Sequence, residues 1–296
     1  MLKHHHAAPL APSRVVILGA GGFVGGAAAR RLAGAGIAAV ALGRPAHDLL
    51  APGAADRLAA ALRPDDALVV VSAKAPCKDA GMMVENLRMI EPVCAALARA
   101  PVAHLVYVSS DAVYRDSDGP LSEESCAEPG SAHGAMHRAR EVLLGDAARC
   151  PYAVLRPTLI YGVDDPHNGY GPNRFRRLAR AGKEIVLFGE GEERRDHVLV
   201  DDVAELLRLI LVHRSAGVLN AATGAVASFR QIAETVVGLF DRPVAIKGSP
   251  RQGAMPHNGF RPFDPAGTAR AFPQFRYTAL ADGLAATHRQ YMQRPA

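Results

Sequence analysis

Tryptophan is absent from this chain, and aromatic residues make up only 5% of its 296 positions. Its basic residues are scattered among acids, so the net charge of +5 fits small anionic ligands better than nucleic acid. The four cysteines, Cys77, Cys94, Cys126 and Cys150, form no CxxC pair. That argues against a disulfide framework or a zinc knuckle and for free thiols in a reducing, cytoplasmic setting. Uninterrupted apolar spans are missing too. The opening "MLKHHHAAPLAPSR" has no apolar core of signal-peptide length, and residues 1–12 read as a disordered tail. The run "VVILGAGGFVGGAAARRLAGAGIAAVAL" imitates a membrane segment, but its clustered glycines, Arg30 and Arg31 argue instead for a strand, a turn and a helix. No internal repeat is present. With 49% hydrophobic residues, the chain can bury one large core or two modest ones.

What is present begins with that same run. Residues 15–18 form a short β-branched stretch, Gly19, Gly22 and Gly25 follow at G-x-x-G-x-x-G spacing, and an alanine-rich helix leads to a second strand at 38–42. A βαβ unit of this kind brings backbone amides, including those of Phe23 and Val24, to a pyrophosphate at a helix N-terminus. Where NAD-binding units place an acid after the second strand, this sequence has Gly43 and Arg44, with His47 behind. An arginine there favours a 2′-phosphate, hence NADP, with NAD possible.

Alternation continues through "ALVVVSA" (67–73), "HLVYVSS" (104–110) and "YAVLRPTLIYG" (152–162), with helical segments between them. The pattern predicts an α/β fold with a doubly wound parallel sheet of Rossmann type, binding ligands at the carboxyl ends of its strands.

Several segments in order resemble the extended short-chain dehydrogenase/reductases, the NAD-dependent epimerase/dehydratase family: "GAGGFVGG", "HDLLAP" (47–52), "VSAKAP" (71–76), Asn86, "YVSSDAVY" (107–114), "LRPTLIYG" (155–162), "RRDHVLVDDVAELL" (194–207) and "GVLNAATGAVASFRQIAE" (217–234). The resemblance implies a dinucleotide-binding domain over 13–163 plus 196–223. It implies a smaller substrate-binding domain over 164–195 plus 224–296, closing over a nucleotide-linked sugar, and a homodimer formed through two helices. It assigns Gly19, Gly22 and Gly25 to the pyrophosphate, Asp48 and Leu49 to adenine, Ala73 to the ribose wall and Pro157 to the nicotinamide. Ser110 matches the hydroxyl that binds a substrate oxygen, beside Ser109, Asp111 and the substrate-loop tyrosine Tyr114.

"SAHGAMHRARE" (131–141) departs from the pattern. The family's catalytic tyrosine, and the lysine four residues later, are here His133 and His137, with Gly134 and Glu141 anchoring the match. One helical turn puts both histidines on one face. A histidine at 133, with an ordinary pKa near ~6.5, can take over the proton transfer, and His137 can bond the ribose. The lost lysine charge then has to come from Arg138, Lys74 or a bound cation. Three readings stand open: an active enzyme with a histidine relay, an inactive dinucleotide-binding sensor or partner subunit, and a metal site at His133, His137 and Glu141, of which the metal site ranks lowest because Glu141 has a family explanation.

Residues 164–198 combine a glycine-rich loop with Asn173, Arg174, Arg176, Arg177, Arg194 and Arg195. Similar enzymes place an asparagine and an arginine from these segments on a nucleotide diphosphate, which suits Asn173 and Arg195, while Arg176 and Arg177 read as solvated helix residues. Glu123 and Glu124 do not form the paired acid and base of a sugar dehydratase. The reaction that fits best is NADPH-dependent reduction of a ketosugar.

Overall fold

The computed structural model describes residues 1–293, and its first half alternates strand and helix as the sequence pattern requires. The elements there are β1 (Arg14–Leu18), α1 (Phe23–Gly34), β2 (Ala39–Leu42), α2 (Ala54–Ala61), β3 (Asp66–Val70), α3 (Ala80–Arg99), β4 (His104–Val108), α4 (Ala132–Ala147) and β5 (Tyr152–Pro157). There follow β6 (Leu159–Tyr161), α5 (Pro172–Arg180), β7 (Ile185–Phe188), β8 (Arg194–Leu199), α6 (Val200–Val212) and β9 (Gly217–Ala221). The chain ends with β10 (Val226–Ser228), α7 (Phe229–Val237), β11 (Ile246–Ser249), β12 (Phe260–Arg261), α8 (Ala266–Ala271) and α9 (Leu280–Met292).

Six parallel strands form the main sheet in the order β2-β1-β3-β4-β5-β9. Its strands are apolar on both faces because both faces are covered. On β1, Val15 and Ile17 pack against α1 and α6, whereas Val16 and Leu18 pack against α2, α3 and α4. The order reverses direction between β1 and β3, which opens a crevice at the carboxyl ends of those strands. A smaller part carries a second sheet, β10-β8-β12 with β6 on β8, and a parallel pair β7–β11. Its own core gathers Phe175, Leu187, Phe229, Ile232 and Leu284.

The opening residues are not a disordered tail. Lys3 pairs with Ala216 as an isolated antiparallel bridge, and the amides of His5 and His6 both donate to the carbonyl of His213. His4 sits between the rings of His213 (4.6 Å) and Phe272 (5.2 Å) and hydrogen bonds Ser215 and Ala271. Imidazole serves as both flat apolar body and polar tip there, which composition alone does not convey. All four cysteines are unpaired. No helix among the described residues is long and apolar enough to cross a membrane.

Two interior histidines make the fold sensitive to acid. His104 donates to the Ser215 carbonyl and His197 sits against Phe229, and burial lowers the pKa of each to about 4 from 6.5. The unfolded chain binds these protons first, so the stability they confer is complete above pH 6.5 and is lost as pH falls toward 4. At about 1.4 kcal/mol per pKa unit, each removes about 3 kcal/mol by pH 4. Urea unfolding should show this decline, reduced in His104→Asn; a free energy that stays constant from about pH 7 to pH 4 would contradict it.

Candidate functional site

The glycine-rich loop leaves β1 at the crevice, and its glycines are required by contact. A Cβ on Gly25 would lie 2.3 Å from the Gly19 carbonyl oxygen, and one on Gly19, whose φ is +101°, would lie 2.7 Å from the Ser72 amide. Helix α1 starts at Gly22 with no side-chain cap and no acid in its first turn. Phe23 and Val24 turn their side chains into the α1–α6 contact, so they contribute through main-chain amides. An uncapped first turn with a positive dipole end and no Cβ in the way fits a pyrophosphate.

On the adenine side, the Leu49 side chain is buried in the core with Leu42 and Leu58. Asp48 accepts from the Leu50 amide, fixing the turn. Arg44 stands exposed past the end of β2, with no ion pair among the described residues. Pro157 ends β5 opposite Ala221 on β9.

After β3, residues 72–77, including Ala73, are fastened at three points. Arg140 donates to the Ser72 carbonyl (2.6 Å). Asn86, fully buried, accepts from the Lys74 amide and donates to the Lys74 carbonyl. The Cys77 amide donates to His133 Nδ1 (3.3 Å). After β4, Ser110 caps the 3-10 turn Asp111–Val113, its hydroxyl accepting from the Ala112 amide (3.2 Å). Gly134 lets α4 press on this turn, since a Cβ there would meet the Ala112 carbonyl oxygen at 2.0 Å. That close approach sets His133 beside the end of β4.

His133 and His137 meet edge to face with ring centroids 4.7 Å apart. Burial lowers the pKa of His133 below 6.5, against a smaller opposing pull from Asp111. With Nδ1 accepting from Cys77, the neutral ring carries its proton on Nε2. His137 is 5% exposed and its Nδ1 lies 2.7 Å from the Tyr107 hydroxyl. Burial foremost, then His133 and Arg140, hold His137 well below 6.5, while burial keeps the Tyr107 phenol protonated. The phenol therefore donates to a neutral His137, leaving only Nε2 for a ribose.

Glu141 faces the sheet rather than the histidines. Arg156 grips it with two bonds, 2.8 and 2.7 Å, Ser109 donates at 2.6 Å, and Arg138 at 3.1 Å. No group of three or more His, Cys, Asp or Glu side chains that could hold a metal is found among the described residues.

Several residues expected at the substrate are committed elsewhere. Ser109 is spent on Glu141. Tyr114 is 2% exposed, lies under the Arg156 guanidinium and donates to Asn220. Asn173 is buried, donating to Asp165 and accepting from the Gly162 amide, so it shapes the loop after β6. Arg176, read as solvated, is 2% exposed, bonded to the Gly162 carbonyl and stacked on Tyr291. Lys74 pairs at the surface with Glu85 (2.6 Å). Asp111 is ion-paired with buried Arg261 (3.1 Å), and Arg195 lies 3.9 Å from Asp111 and 3.3 Å from Glu193. Arg140, Arg156 and Arg261 were not anticipated. An arginine inside the apolar strand "YAVLRP" is a readable signal for Arg156, because a buried charge needs a partner; Arg261 comes from far along the chain and carries no such signal.

A family model described as "NAD dependent epimerase/dehydratase family" matches residues 15–222. A protein of Oryza sativa subsp. japonica named "Putative GDP-L-fucose synthase 2" is 26% identical over 95% of this chain and 87% of its own length. Among solved structures, a GDP-L-fucose synthetase from Naegleria fowleri bound to NADP superposes with a TM-score of 0.80 at 18% identity, covering 98% of this chain and 97% of that one. A UDP-glucose 4-epimerase with UDP-glucose from Thermotoga maritima gives 0.81 at 21%, covering 95% and 98%. These two likenesses establish the fold.

Removing Glu141 strands Arg156 in the interior, so Glu141→Ala is expected to lower unfolding free energy by about 3–5 kcal/mol. The double variant Glu141→Met, Arg156→Met should lose less; equal losses would show that the unpaired charge is not the cause. Gly25→Ala should weaken NADPH binding more than about tenfold by fluorescence titration, because the loop has to open to admit the methyl; unchanged binding would exclude the loop as the pyrophosphate cradle.

Proposed function

Because this chain belongs to the NAD dependent epimerase/dehydratase family, we propose that it is a nicotinamide-dinucleotide enzyme acting on a nucleotide-linked sugar, specifically an NADPH-dependent ketosugar reductase with His133 at the position of the family's tyrosine. The observation that carries this reading is the fixed tautomer of His133: the Cys77 amide on Nδ1 leaves Nε2–H as the ring's donor, on a helix turn pressed against the 3-10 turn that Ser110 caps. Exposed Arg44, free of ion pairs among the described residues, supports a cofactor with a 2′-phosphate. The nucleotide-linked sugar is supported by the relatives' names. The homodimer implied by the resemblance has support in Val84 on α3 and Val142 and Leu143 on α4, all exposed.

A bound reduced cofactor supplies the hydride. His133 holds a proton at Nε2 against the substrate's carbonyl oxygen, and the Ser110 hydroxyl adds a second donor by turning from its long bond to Asp111 (3.4 Å). A neutral imidazole can polarise a carbonyl in this way without becoming imidazolium. His133 is thus a hydrogen-bond donor more than an acid titrating near neutrality, and the proton completing the alcohol comes from water.

A second reading, an inactive dinucleotide-binding sensor or partner subunit, draws on Lys74 and Arg138. Both are paired with glutamates, so neither is free to replace the missing lysine.

Purified protein offered NADPH and a panel of nucleotide-linked 4-ketosugars should consume cofactor, and His133→Phe should lower turnover roughly 10²–10⁴-fold while still binding NADPH. Reduction should be level between about pH 7 and 9 and fall only below pH 6.5, as protonation breaks the Cys77 bond. Loss of rate as pH rises through that range would instead identify an imidazolium donor. Binding without turnover of any sugar would favour the sensor reading. Arg44→Ala should weaken NADPH and spare NADH; equal effects on both would remove the case for NADP.

A further inference from the structure

Arg140 is fully buried, with one nitrogen on the Ser72 carbonyl (2.6 Å), another near Asn86 Oδ1 (3.4 Å) and Met136 Sδ (4.0 Å), and its guanidinium 5.3 Å from the centroid of the Tyr107 ring. Its Nε has no hydrogen-bond partner. Among the described residues no carboxylate forms an ion pair with it, and Glu141, next along α4, is taken by Arg156 and Arg138. An interior cation without a counter-ion costs several kcal/mol and calls for a role.

Its position supplies one. Arg140 and His137 stand three residues apart on α4 and both touch Tyr107, one over the ring and one at the hydroxyl. Arg140 and His133 fasten the two ends of the same loop, at Ser72 and at Cys77. Resting on the reductase reading above, we propose that Arg140 is the positioning residue of this site: the fixed positive charge that the helix lacks at His137, standing over the Tyr107 ring that His137 also touches, and holding the loop that orients His133. The charge also favours the negative oxygen that forms as hydride reaches a carbonyl carbon.

Other groups around the pair do not duplicate this charge. Glu141 is matched by Arg156 and Arg138. Asp111 is matched by Arg261. Tyr107, Tyr152 and Cys94 are kept protonated by burial.

The test is the titration of the His133 and His137 rings by NMR in wild type, Arg140→Met and Arg140→Lys, with ketosugar reduction followed across pH. In Arg140→Met the His137 pKa should rise, because a neighbouring positive charge is removed while the burial stays. Ketosugar reduction should slow across the pH range, because the loop held at Ser72 loosens around His133. Arg140→Lys, which keeps the charge and loses the fork, should titrate like wild type. Should Arg140→Met fail to fold, Arg140→Gln keeps a donor for Ser72 and removes the charge. A folded uncharged variant whose His137 titrates like wild type overturns the proposal, as does a lysine variant that titrates like the uncharged one. The titration needs no substrate, so its outcome is separate from that of the reductase reading, which fails if no ketosugar is turned over.

Discussion

The bidentate pair between Glu141 on α4 and Arg156 on β5 fixes where the helix that carries His133 and His137 lies on the sheet. Both side chains are almost wholly buried, and Ser109 at the end of β4 completes the carboxylate's coordination. Apolar contacts hold α4 and α3 together, but such contacts tolerate sliding, whereas two short charge-assisted bonds do not. The pair extends through the Arg156 guanidinium stacked on Tyr114, and the Tyr114 hydroxyl bonds Asn220 on β9. One ionic contact therefore sets α4, β4, β5 and β9 in register, although its net contribution to stability is small against an apolar replacement.

With α4 placed, its exposed turns have defined tasks. Ser131 caps the helix, Gly134 admits the Ala112 carbonyl, and His133 is carried to the end of β4. The loop after β3 then closes on α4 from the other side, at Ser72 and Cys77. A ring anchored by a main-chain amide on one nitrogen needs no side-chain partner to fix its tautomer. The site is thus built from a rigid helix and a loop tied to it, not from independently placed residues.

The alternation of β1 to β5 with helices was legible because β1, β3, β4 and β5, covered on both faces, are apolar along most of their length, and the glycine loop because contact forbids a Cβ. The histidine pair was legible as a departure from a family pattern. Allegiances of polar side chains were not. Ser109, Tyr114 and Asn173 have the right chemistry for a ligand, yet each is used by a partner distant in sequence: Glu141, Asn220, and the loop around Asp165 and Gly162. The Leu49 side chain packs into the core because a leucine in the turn after β2 lies over Leu42 and Leu58. Arg140 had a signal, three residues after His137 on the same face, but "RARE" also describes an ordinary solvated helix.

On the reductase reading proposed above, histidine in place of both tyrosine and lysine is physically more coherent than either change alone. A phenol requires a neighbouring cation to release its proton near neutrality, since its ordinary pKa is about 10. A neutral imidazole used as a hydrogen-bond donor has no such requirement, and an ammonium one turn away would only repel any proton it gained. Once position 133 is histidine, the lysine's electrostatic service to the phenol has no object, and what remains is the charge favoured by the reacting oxygen. In the role proposed for it, the Arg140 guanidinium over the Tyr107 ring meets that need from the interior. On that reading the three α4 residues act together: His133 offers the hydrogen-bond donor, His137 the ribose contact and Arg140 the cation.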